Sequence, residues 1–101
     1  MSLETLDDVL NAVRTKPFIV ANSTKNRATL LRLGLLVDDL KDIIRSLTSI
    51  DYVSGPEDDY DGSDGKIWKF KKRAFGETFY IKLKIKKPLI AISCHIDDIQ
   101  I

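Results

Sequence analysis

The feature that most constrains this chain is a change in the period of its apolar residues near position 50. Before it they recur at steps of three and four; after it they alternate with polar residues. The first period builds helices with one buried stripe, and the second builds strands with one buried face. Leu3, Leu6, Val9, Leu10 and Val13 form the first stripe. A helix is expected from about Ser2 to Val13, with Ser2 as N-cap and Glu4 in the first turn, where the helix dipole favours an acid. Pro17 closes it. A second helix is expected over about Thr24 to Leu33, capped by Asn22 or Ser23 and ended by Gly34. The third is the clearest. Val37, Leu40, Ile43, Ile44 and Leu47 share one face, and Asp38 and Asp39 stand at its N-terminal end.

Beyond these helices, Ile50 to Val53 reads as a short strand or an extended lead-in. Gly55 to Gly65 reads as an acidic, turn-rich loop with nothing to bury. Strands are then expected over Lys66 to Phe75, Thr78 to Lys86 and Leu89 to Ile96, separated by Gly76 and Pro88. Helices first and an antiparallel meander afterwards make an α+β domain: N-terminal helices packed on a small antiparallel β-sheet. A length of 101 residues suits one domain, 1–101, with a core of its own.

Charge is divided as sharply as period. Met1 to Gly65 holds seven basic and twelve acidic residues, whereas Lys66 to Lys87 holds nine basic residues against Glu77 alone. The net charge of +1 conceals this split. A basic half beside an acidic one suggests a polyanion-binding surface; the bland reading is a lysine-rich hairpin that keeps a sheet edge solvated.

Several chemistries find no footing. The sequence holds no phosphate-binding glycine loop, dinucleotide fingerprint or paired His/Cys ligand set, so no cofactor and no metal are expected. Asp59, Asp61 and Ser63 mimic the start of a calcium loop, but Asp64 stands where its glycine belongs and Phe70 where its closing glutamate belongs. No apolar run approaches the ~20 residues of a membrane span, and Met1 to Leu10 carries Glu4, Asp7 and Asp8, unlike a secretory signal. With one cysteine, Cys94, and no internal disulfide, a soluble cytoplasmic protein with no membrane partner is expected.

Strand parity sorts the basic half into faces. Phe79, Ile81, Leu83 and Ile85 point toward the helices, and Thr78, Tyr80, Lys82, Lys84 and Lys86 point away. In the last strand Ile90, Ile92 and Cys94 fall on one side and Ala91, Ser93 and His95 on the other. If Trp68 and Phe70 face the core, Lys69, Lys71 and Arg73 join Tyr80, Lys82, Ser93 and His95 on the open face. That inventory suits RNA cleavage by the 2′-hydroxyl, which needs a base, an acid and positive charge on the phosphate. Histidine moves protons near neutral pH, tyrosine stacks on a base or shares in proton transfer, and lysine and arginine clamp phosphate. Each residue also has a plainer reading. His95 is a surface residue at a strand end, Tyr80 a good strand former, Trp68 a core residue and Cys94 a small buried hydrophobe. Ser93 has no acidic partner for a hydrolase triad.

Several local strings occur in a familiar order. They are Leu33-Gly34-Leu35, the helix with Ile43, Ile44 and Leu47, then Asp51-Tyr52, Ile67-Trp68, Tyr80-Ile81-Lys82, Leu89-Ile90 and Ser93-Cys94-His95. In this order the chain resembles the MqsR-like family of bacterial mRNA-interferase toxins over roughly two thirds of its length. The resemblance implies a RelE-like fold, an endoribonuclease that cuts messenger RNA, and a cognate antitoxin protein that neutralises it. It places the family's active-site tyrosine on Tyr80 and the polar position after the Ile-Trp pair on Lys69. The lysine closing the family's last strand falls on His95, which keeps a proton-handling group. The family's lysine after the Asp-aromatic pair falls near Ser54, where the match is lost. Parity and resemblance converge on His95, Tyr80 and Lys69 as catalytic candidates, with Lys71, Arg73, Lys82 and Lys84 as substrate-binding ones. The alternatives are a non-catalytic nucleic-acid-binding module and an interaction protein, each using the same basic sheet face.

Overall fold

Thr5 opens the first helix. In the computed structural model, which describes residues 5–58, 62, 65–86 and 89–96, α1 runs Leu6–Thr15. The Asp8 N–H donates to Thr5 Oγ1 at 3.1 Å and the Thr5 N–H donates back to the Asp8 carboxylate at 3.4 Å, a reciprocal cap. The expected start at Ser2 gives way to Leu6, because Thr5 has extended backbone; Ser2 and Glu4 lie outside the described residues. Helix α2, Thr24–Leu33, starts at Ser23 and stops at Gly34, whose φ of 67° is the left-handed cap that glycine adopts without strain. Helix α3, Val37–Arg45, is held at its start by the Asp39 carboxylate, which accepts the Leu36 N–H at 2.8 Å. It ends before Leu47, which is nevertheless fully buried.

Among the described residues the sheet has five strands in the order β1-β5-β4-β3-β2. They are β1 (Ile19–Val20), β2 (Tyr52–Asp58), β3 (Lys66–Ala74), β4 (Glu77–Ile85) and β5 (Ile90–Ile96). The expected meander is β3-β4-β5, each neighbour antiparallel. Two strands extend it. Strand β1 adds parallel to β5, so the sheet is mixed rather than wholly antiparallel. Strand β2, entered from a 3-10 turn at Ser49–Asp51, adds antiparallel to β3 and takes in Gly55 and Pro56. The expected loop from Gly55 is therefore a strand as far as Asp58; Asp59, Asp61, Ser63, Asp64 and Pro88 lie outside the described residues. Gly55 is required there. With φ at 129°, a Cβ on it would stand 2.8 Å from the Ile67 carbonyl oxygen and 2.9 Å from Trp68 Cα.

Helices α1 and α3 cover one sheet face. Val9, Leu10, Val13, Leu40, Ile44 and Leu47 pack there on Trp68, Phe70, Phe79, Ile81 and Leu83. Each such side chain contributes about 1.5–3 kcal/mol by leaving water. Trp68 is 2 % exposed, which makes it core and not a platform for a base. Lys72, on the core-facing parity of β3, reaches the rim and pairs with Asp51 at 3.5 Å.

Helix α2 does a different job, closing the outer edge of β5. Asn26 and Thr29 are buried polar residues of α2. Asn26 Nδ2 donates to the Ile92 carbonyl at 3.2 Å and the Ala21 carbonyl at 2.9 Å, while its Oδ1 accepts the Cys94 N–H at 2.9 Å. Thr29 Oγ1 accepts the Ile96 N–H at 3.2 Å. Side chains thus continue the pairing that β1 begins at Ile90 and Ala91.

Candidate active site

The open face of the sheet is organised in rows across the strands. Lys71 pairs with Tyr80 and Tyr80 with His95, giving one row over β3, β4 and β5. The next row is Lys69, Lys82 and Ser93. Between and around them lies a groove of about 280 Å³, lined by these six residues together with Val53, Phe70 and Ile81. The three catalytic candidates, His95, Tyr80 and Lys69, thus share one concavity with Lys71 and Lys82.

Parity in β5 holds for the site and fails beyond it. Lys82 pairs with Ser93 but Leu83 pairs with Ala91, so Ile92 is an extra residue in the ladder. The bulge reverses the expected sides of Ile90 and Ala91. Ala91 is buried with the core, alongside Cys94 and Ile96, and Ile90 pairs with Lys84. Ser93 and His95, on the C-terminal side of the bulge, remain on the open face as expected.

Two expected substrate-binding residues stand apart from the groove. Arg73 lies at the hairpin end, donating to Thr78 Oγ1 at 3.1 Å and to the Gly76 carbonyl at 3.5 Å. There Phe75 and Gly76 have φ of 54° and 73°, the positive pair of a type I′ two-residue hairpin turn. Lys84, at the other end, is only 7 % exposed between Ile67 and Ile90. Its placement corrects the expectation of an open phosphate contact, because the face is not uniformly exposed along its length.

Inside the groove the rings stand side by side. Tyr80 and His95 have centroids 6.4 Å apart with planes 31° from parallel. Lys71 Nζ lies 5.1 Å from the centre of the Tyr80 ring, an attraction between the ammonium and the ring face. His95 Nδ1 is 3.2 Å from the Ile96 carbonyl oxygen. In the tautomer that donates Nδ1–H to this carbonyl, Nε2 is the nitrogen that accepts a proton. Cys94 is a neighbour in sequence only. It is fully buried on the core side, and burial pushes its thiol from 9.0 up to about 12, so it supplies no thiolate to the groove.

An acid meets one of these lysines. Glu57 Oε2 is 3.3 Å from Lys69 Nζ, across the β2–β3 pair in which Ser54 faces Lys69. A hydrogen bond from Ser54 and then the Lys69 ammonium hold its carboxyl below the ordinary glutamate range. Glu57 gives no signal in the sequence, because it sits within a run of acidic loop residues. Val53 is equally silent there, since its facing depends on where β2 begins.

Comparison of the chain with family models, with curated proteins and with solved structures finds no match. Among the described residues no helix is long and apolar enough to cross a membrane.

Proposed function

We propose that the chain is the toxin of a type II toxin–antitoxin system: a cytoplasmic endoribonuclease, similar to the MqsR-like family, that cuts messenger RNA. One observation carries the reading: His95, Tyr80, Lys69, Lys71 and Lys82 line a single groove on the open sheet face. Lys69, Lys71 and Lys82 hold the phosphate and offset the charge that builds on its oxygens. His95 and Tyr80 handle the two protons. One is taken from the 2′-hydroxyl as its oxygen attacks phosphorus, and one is given to the departing 5′-oxygen. The products are a 2′,3′-cyclic phosphate and a 5′-hydroxyl, with no protein nucleophile. A cognate antitoxin covers the groove in the resting cell.

Expression of the chain without its antitoxin is expected to arrest growth. His95→Ala and Tyr80→Phe are expected to relieve the arrest while circular dichroism and melting stay native. A folded double variant as toxic as the wild type overturns the assignment of the groove. A wild type that retains RNA but leaves it intact points instead to a non-catalytic binding module on the same face.

A further inference from the structure

The groove holds more cations than one phosphate requires, and one of them is already engaged. Lys69 and Lys82 face each other across β3 and β4, so their ammonium groups share one row of the sheet. Glu57 meets Lys69 from the opposite side at 3.3 Å, reaching over from β2. Both side chains are about two-fifths exposed, at 43 % and 41 %, so solvent weakens the pair as a source of stability. Its geometry has a different consequence. A lysine is a flexible four-carbon stem with a point charge, and unaided it samples many rotamers. Ser54, which sits opposite Lys69 in the β2–β3 register, and the Lys69 ammonium both favour the charged form of Glu57. The register irregularity between Ser54 and Glu57 leaves Ser54 opposite Lys69 and Glu57 opposite Ile67, two β3 residues of the same parity.

We propose that Glu57 is a positioning residue of the groove, holding the Lys69 ammonium at its β2 side where the phosphate of bound RNA meets it. This rests on the ribonuclease reading of the groove. Glu57 touches no reacting atom; it acts through Lys69. The carboxylate also lowers the positive charge of the groove, so its removal has opposite effects on binding and on cutting. RNA is held more tightly, because one negative charge is gone, and cut more slowly, because Lys69 is no longer fixed.

The test uses purified full-length protein and a single-stranded RNA of mixed sequence, with kcat and KM measured for wild type, Glu57→Gln, Glu57→Asp, Lys69→Ala and the Lys69→Ala/Glu57→Gln double variant. Glu57→Gln is expected to lower kcat about 10- to 100-fold with KM unchanged or lower. Glu57→Asp, which keeps the charge on a shorter stem, is expected to recover part of kcat. In the Lys69→Ala background, Glu57→Gln is expected to cost nothing further, as coupled residues do. Undiminished kcat in Glu57→Gln overturns the inference alone, and so does an equal loss with and without Lys69. A wild type that leaves RNA uncut overturns the ribonuclease reading, and the role of Glu57 falls with it.

Discussion

His95 is placed by residues that never approach the groove. The amides on either side of it, Cys94 N–H and Ile96 N–H, donate to Asn26 and Thr29 of α2. Backbone held at both flanks fixes where the imidazole stands and brings Nδ1 to the Ile96 carbonyl. Asn26→Ala leaves the buried Cys94 amide without its partner, at a cost of about 1–3 kcal/mol, and the part-buried Ile92 and Ala21 carbonyls without theirs, at a smaller one. A loss of about 2–4 kcal/mol is expected in urea unfolding, with cleavage reduced even where the variant remains folded. Cys94 reports on the same strand from its buried side. Its thiol ionises near 9.0 when unfolded and at about 12 when folded, so between these values the unfolded chain binds fewer protons and stability falls as pH rises. The stability advantage of wild type over Cys94→Ala is therefore expected to shrink between about pH 8 and about pH 10 in paired urea melts. An advantage that grows over that range contradicts the buried, protonated thiol.

At the scale of elements, β2 borders the groove. It contributes Val53 to the wall and Glu57 to Lys69. Its fit to β3 depends on Gly55, where an added Cβ meets backbone atoms at 2.8 and 2.9 Å that cannot swing aside. Gly55→Ala is expected to destabilise by about 2 kcal/mol or more through the clash and the positive φ, and to lower activity by displacing β2. Unchanged melting and cleavage contradict this packing. The sequence makes α2, α3 and the β3-β4-β5 meander readable because local periodicity and capping residues set them. It conceals β1, and β2 beyond Val53, because their strand character comes from non-local pairing. Ile19–Val20 is too short to show a period, and Tyr52–Asp58 is disguised by Ser54, Gly55, Pro56, Glu57 and Asp58. The bulge at Ile92 is hidden for the same reason, since nothing local marks it until Asn26 arrives from a distant helix.

Across the whole molecule, two separations coincide. Helices α1 and α3 occupy one face of the sheet, which leaves the other face of β3, β4 and β5 to the basic half of the chain. The acidic first half supplies the covering helices and, through Glu57, the carboxylate paired with Lys69 in the groove. Parity in β3 and β4 was enough to bring Lys69, Lys71, Tyr80 and Lys82 together, because an uninterrupted antiparallel pair carries alternation from end to end. Arg73 and Lys84 show the limit of that logic: alternation assigns a face, but the turn beside Arg73 and the apolar neighbours of Lys84 decide what is open. The proposed activity places RNA cleavage in the groove on this face. Its most direct measurement is incubation of the purified protein with end-labelled single-stranded RNA, followed by analysis of the new ends. Fragments with 2′,3′-cyclic phosphate and 5′-hydroxyl termini are expected from wild type, with the rate reduced about 10²- to 10⁴-fold in folded His95→Ala. Intact RNA with wild type, or equal cleavage by the folded His95→Ala protein, contradicts it.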